Sequence, residues 1–337
     1  MNRILSIILI LSLTACNCAT NDIVATSINV GATTGIVEVN ESVGANFRSP
    51  HVEDESDTSG EKDENANNKL EIPSDFIVKD KYTIENIYVD FSALYATYSI
   101  INDGYAVLYK LNKSDAYRYT GKTVAINAGH GTKGGSKIKT FSHPDFTPKV
   151  SGGTTSAGSV LSSAVSEGMV FNNGMTEANA NLAVAYALKD KLLDNGYSVL
   201  MIRENDDCRL DNIARTVLAN ENADAHIAIH FDSTASNKGI FYITPYNDKN
   251  YLDMEPVKSN ANNIKKLGDS IIEAFRGMGE KIWKNKGTLQ GDLTQISFST
   301  NASVDIELGD KATEVTEDKV GIFAEGIYKG IDNYFYE

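Results

Sequence analysis

Cysteine is scarce. The 337 residues hold only Cys16, Cys18 and Cys208. A Cys18–Cys208 bridge across a long linker is the one pairing left if Cys16 is used otherwise, so no disulfide framework holds this chain together, and a zinc–thiolate site is excluded by count. Cys208 reads as a lone thiol. Positive charge is short as well: 31 Lys and Arg stand against 45 Asp and Glu, a formal net charge of −14. Such a chain repels polyanions, which excludes nucleic acid as a partner and opposes binding to anionic headgroups. The apolar run at the start of the chain, Ile4–Leu13, is too short to span a bilayer with comfort. What is present is a hydrophobic content of 42%, adequate for a packed core, in a length that suits one large domain or two small ones.

The first residues decide the compartment. Arg3 precedes the Ile4–Leu13 run, and Leu13-Thr14-Ala15-Cys16 follows it. That order resembles the bacterial lipoprotein processing box, in which the cysteine becomes the lipidated first residue of the mature chain. The expectation is a signal peptide over 1–15, lipidation at Cys16, and a protein tethered outside the cytoplasmic membrane. Residues 16–72 have almost no aromatics, and Glu53–Glu64 carries seven acids against Lys62 alone. Such a segment cannot bury enough apolar area to offset its ordering entropy, so it reads as a disordered acidic linker. It lacks the pattern of a calcium loop.

Residues 73–120 are rich in tyrosine. Tyr95–Ile101, Asn102-Asp103-Gly104 and Tyr105–Leu111 predict a β-hairpin in an N-terminal extension, with strand residues packed on the next domain as the simplest use of the aromatics. The catalytic region is expected over 121–337. Thr123–Gly131, TVAINAGHG, is an apolar strand that stops on Gly-His-Gly, and its glycines remove side chains that would crowd His130. A polar insertion, Thr132–Thr176, is a loop by composition and is expected to overhang the site. Glu177 then opens a helix with Leu182, Ala185, Leu188 and Leu192 at helical spacing, closed by Asn195-Gly196. Tyr197–Arg203, Ala225–His230, Gly239–Pro245 and Val304–Gly309 read as strands; Asp211–Asn222, Asn260–Arg276 and Asp318–Phe335 read as helices. Strands alternating with helices predict an α/β fold: three layers, α/β/α, around a mostly parallel central sheet.

Strand ends in such sheets are where ligands bind. Two strands finish on histidine, His130 and His230, and one helix begins on Glu177; neutral imidazoles plus a carboxylate form the ligand set of a catalytic zinc. For Glu177 the competing explanation is a charge favoured by the helix dipole. His226 lies on the face of His230 but at the wrong end of the strand, and reads as packing or surface.

Taken together, INAGHG (126–131), EANANL (177–182), the run from Met201 to His230 and IELG (306–309) resemble the zinc-dependent N-acetylmuramoyl-L-alanine amidases, in one order over about residues 122–336. The resemblance implies that His130, Glu177 and His230 bind one zinc ion and that Glu307 is the catalytic carboxylate, hydrolysing the bond between the lactyl group of N-acetylmuramic acid and L-alanine. Asn181 fits the family's helix start, whereas Glu167 lacks that context. The implied partner is peptidoglycan, with the membrane reached through the lipid anchor alone. Arg203 and Arg215 belong to the matching run; either could hold a stem-peptide carboxylate, though a structural ion pair is the simpler expectation. Departures lie around the pocket: a long insertion after His130, Asp232 after the second histidine, and Asp310 after Glu-Leu-Gly. No internal repeat of wall-binding type accompanies the core. Other readings compatible with the sequence are a zinc hydrolase of this fold acting on soluble muropeptides, and a non-catalytic, lipid-anchored wall-binding protein.

Overall fold

The computed structural model describes residues 81–114 and 118–337; the signal segment, Cys16, Cys18 and the acidic linker through residue 72 lie outside the described residues. The strands are β1 (Tyr82–Tyr88), β2 (Tyr105–Leu111), β3 (Thr123–Ala128), β4 (Lys139–Phe141), β5 (Leu161–Ser163), β6 (Ser198–Met201), β7 (Ala225–Asp232), β8 (Phe241–Pro245), β9 (Thr288–Gly291) and β10 (Ala302–Asp310). The helices are α1 (Glu177–Asp194), α2 (Asn212–Asn222), α3 (Lys249–Asp253), α4 (Val257–Gly277), α5 (Thr294–Phe298) and α6 (Glu317–Tyr336).

Eight strands form one sheet in the order β1-β2-β6-β3-β7-β10-β8-β9. Its centre, β6-β3-β7-β10, is parallel, and the antiparallel pairings lie toward the edges. The central strands are apolar on both faces because both are covered. Val124, Ile126, Ile227, Ile229, Val304 and Ile306 pack under α1, α4 and α6. Ala125, Leu200 and Ile202 face α2 on the other side. The three-layer α/β expectation therefore holds. Local chemistry sets the helix starts: the Thr176 side chain accepts from the Asn179 amide, Asp211 from Ala214, and Thr316 from Lys319.

Register decides where the ends of these strands meet. Asn127 pairs with Ala228 across β3 and β7, and Glu307 pairs with His230 across β10 and β7. The carboxyl ends of three neighbouring parallel strands thus deliver His130, His230 and Glu307 to one rim.

The expected hairpin is corrected in one arm. Strand β2 pairs with β1, Tyr82–Tyr88, while Ala96–Tyr98 forms a single 3-10 turn. Two tertiary contacts explain this. Tyr95 and Tyr98 turn their rings onto Phe298, and Asp211 Oδ2 accepts from the backbone amides of Ile100 and Ile101 that a ladder would have used. The other edge of β2 lies against β6, so this part completes the same sheet as the rest. The insertion 132–176 is not wholly irregular either: it carries the β4–β5 ribbon.

Candidate active site

His130 follows β3 in a tight turn and holds a left-handed backbone, φ +64. A non-glycine residue in that region carries strain, roughly 1–3 kcal/mol, and such residues cluster at functional sites. Gly129 before it is required by space, since a Cβ there would collide with the His230 ring. Three donors then converge. His130 Nε2 lies 2.7 Å from Glu177 Oε1, His230 Nδ1 lies 3.1 Å from the same oxygen, and the two ring nitrogens are 3.2 Å apart. Among the described residues this is the one group of three or more His, Cys, Asp or Glu side chains whose ligand atoms fall within 4.8 Å of one another.

Each donor is aimed by its surroundings. The Ser166 carbonyl accepts from His130 Nδ1–H at 2.8 Å, which leaves Nε2 with its lone pair toward the cluster. Glu177 is buried in the first turn of α1; its Oε1 accepts from the Phe231 amide and its Oε2 from the Met169 amide. Gly168 lies close over both side chains, at φ +82: a Cβ there would stand 2.7 Å from His130 Cδ2 and 2.9 Å from Glu177 Oε2. Ser166–Met169, the end of the insertion, is therefore a wall of the site.

Electrostatics favour a cation here. Burial pushes the Glu177 carboxyl up, but the imidazoles of His130 and His230 outweigh it and hold it well below the usual carboxylate range. Burial pulls His230 down, but Asp305, Glu177 and Glu307 overcome that and push it up to about 9. Glu307, across the strand pair from His230, is raised well above its ordinary value by burial; His230 pulls it down, but the acids Asp305, Glu177 and Asp232 push it further up. Its Oε2 is buried and, among the described residues, has no hydrogen-bond partner.

The donors also fit a particular ion. Ligands about 2.0–2.1 Å from a tetrahedral zinc stand about 3.3 Å apart, close to the separations seen between the donor atoms of His130, Glu177 and His230. Two imidazoles and one carboxylate also match the ligand chemistry of hydrolytic zinc sites, which keep a further position for water.

Other expected residues are placed differently. Arg203 and Arg215 are each 1% exposed, so neither faces a ligand. Arg203 donates to the carbonyls of Ala128, Gly129, Ala178 and Asn205. Arg215 donates to the carbonyls of His130 and Leu210 and to Asn127 Oδ1. Neither makes an ion pair among the described residues; together they clasp the turn that presents His130. Glu167 is exposed and takes a hydrogen bond from Ser136, apart from the cluster. His226 is fully buried, neutral because burial and Arg215 pull it down to about 3, with Nδ1 against Ser303 Oγ. Asp310 accepts from the amides of Ser236 and Lys238 and so ties the loop after β7 to the end of β10, which accounts for an acid at that position.

Sequence reasoning missed Ser166, Gly168 and Met169, whose contribution comes from backbone atoms that leave no residue-type signal. It also missed Asp305, although the alternation Val-Asp-Ile-Glu-Leu already places Asp305 on the face of Glu307.

The model of the family described as N-acetylmuramoyl-L-alanine amidase matches residues 124–333. An uncharacterised protein of Bacillus subtilis (strain 168), YqiI, is 26% identical over 225 residues, covering 64% of this chain and 85% of its own. Among solved structures, the N-acetylmuramyl-L-alanine amidase Ami1 from Mycobacterium smegmatis aligns with a TM-score of 0.51 at 16% identity over 64% of this chain and 98% of that one. Ami1 from Mycobacterium abscessus aligns at 0.49 and 18% identity, covering 65% and 99%. One uninterrupted family match runs from the strand before His130 to the last helix, past Glu177, His230 and Glu307, and the chain belongs to the N-acetylmuramoyl-L-alanine amidase family.

Proposed function

We propose that this peptidoglycan amidase is a zinc enzyme: His130, Glu177 and His230 hold the ion, and Glu307 moves the proton as the lactyl–L-alanine amide is cleaved. The observation that carries the proposal is the convergence of three donor atoms beside a buried, unpartnered carboxylate oxygen. Zinc in such a ligand set supplies a Lewis acid for the carbonyl and lowers the pKa of water toward about 7.

The chain's own groups do the rest. Ser166 and the amides of Met169 and Phe231 fix the directions of His130 and Glu177, so the donors are organised before any ligand enters. Glu307 Oε2, with no competing donor, accepts a proton from the attacking water and returns it to the departing alanine nitrogen. Without that return the amine would leave as a poor anionic group. Arg203 and Arg215 act only by holding the turn around His130.

The proposal extends to location. Lipidation at Cys16 would anchor the enzyme outside the cytoplasmic membrane, with residues 16–72 as a spacer toward the wall. Incubation of the purified protein with intact peptidoglycan should release stem peptides with a new L-alanine amino terminus, lost on chelation and restored by zinc. Activity untouched by exhaustive chelation would overturn the zinc reading; cleavage of soluble muropeptides alone would move the substrate away from intact wall. Cys16→Ser should shift the protein out of the membrane fraction.

A further inference from the structure

The two imidazoles of the cluster each have an inner nitrogen turned to Glu177 and an outer nitrogen turned away from it. For His130 the outer nitrogen, Nδ1, is held by the Ser166 carbonyl at 2.8 Å. For His230 the inner nitrogen is Nδ1, and the outer one, Nε2, faces Asp305 Oδ2 at 3.9 Å, an ion-pair distance. Asp305 is 6% exposed and sits one pleat before Glu307, on the same face of β10. Its neighbour in register on β7 is Ala228, two residues before His230. Among the described residues, His230 is the group within ion-pair distance of Asp305.

A buried carboxylate in an apolar strand is costly unless something answers its charge. Histidines that ligate metals generally donate their outer N–H to a carboxylate or carbonyl, which fixes the ring and strengthens the donor. We propose that Asp305 is a positioning residue that acts through His230, turning Nδ1 toward the zinc site by facing Nε2. It touches neither substrate nor reacting atoms. The inference rests on the zinc reading above and adds a residue to it: His130 is steered by a backbone carbonyl, His230 by a side-chain carboxyl group.

The test is zinc affinity, by competition with a chromogenic chelator on folded, metal-free protein. Asp305→Asn is nearly isosteric and removes the charge. It should weaken zinc binding about 10–100-fold, while the unfolding midpoint of the metal-free protein stays within the range of ordinary surface variants. The same substitution should weaken binding by a similar factor in a His130→Ala background, but by less than twofold in a His230→Ala background. An affinity unchanged by Asp305→Asn, or an equal loss in both histidine backgrounds, overturns the proposal. Should Asp305→Asn fail to fold, Asp305→Ser takes its place in the same titrations. If the wild type itself binds no zinc, the zinc reading falls; if it binds and Asp305→Asn binds alike, only this inference falls.

Discussion

His143 and His230 are both imidazoles set against a buried aspartate, and they are built on opposite plans. Asp292, beside His143, is saturated: Oδ1 accepts from Lys149 Nζ and Ser151 Oγ, and Oδ2 from the Val150 amide and His143 Nε2. Every lone pair has a donor, and the surrounding charge balances. That group fastens the insertion 132–176 to the turn between β9 and α5. Around His230 the balance is reversed. Glu177, Asp305 and Glu307 surround the His230 imidazole, and among the described residues Glu307 Oε2 has no partner. Satisfied polar groups rigidify a fold; a surplus of carboxylates kept short of donors holds room for a cation and for a proton.

The sharpest way to break this contrast is at Glu307. Glu307→Gln keeps the shape and removes the base, so kcat should fall about 10²–10⁴-fold with zinc content by elemental analysis unchanged. A variant with near-normal turnover would end the assignment. The saturated group should respond in stability instead. Asp292→Ala leaves Lys149 buried without its partner, and a loss of about 3–5 kcal/mol in chemical denaturation is expected, with limited proteolysis cutting first within 132–176. Gly168→Ala lies between the two plans, because the insertion reaches the cluster there. The added Cβ meets His130 and Glu177 at a left-handed backbone, and an overpacking cost of about 1–3 kcal/mol predicts zinc affinity lower by roughly tenfold.

The smallest effect is on pH dependence. Burial pushes the Asp292 carboxyl up, but hydrogen bonds from His143, Lys149 and Ser151 prevail and hold it below the usual range. A depressed carboxyl contributes its stability above the unfolded value, about pH 4, and loses it as pH falls through the folded one. In metal-free protein, the stability gap between wild type and Asp292→Asn should therefore be constant from about pH 5 to 7 and shrink below about pH 4. A gap that widens in acid would mean that the carboxylate is not what holds the insertion.

Much of the site was legible because its chemistry sits at element boundaries. His130 follows one apolar strand, His230 lies near the carboxyl end of another and Glu177 starts a periodic helix, so local patterning placed each close to a rim. The arginines were not legible in the same way. Arg203 and Arg215 look available in the sequence, but their guanidinium groups are consumed by carbonyls from β3, α1 and the turns between. Asp305 was passed over because a carboxylate beside a better-known one gives no signal of its own until His230 is seen across the strands.

By itself the sequence determined the layered α/β order, the helix caps and the identity of the converging donors, since hydrophobic period and cap chemistry act over a few residues. Only the tertiary structure decided which segment pairs with β2, how the insertion is fastened, and which polar groups are satisfied. Those outcomes depend on partners far apart along the chain: Asp211 took the amides of Ile100 and Ile101, and Asp292 took the donors of 143–151. A carboxylate's partners are set by proximity in space, which no local pattern encodes.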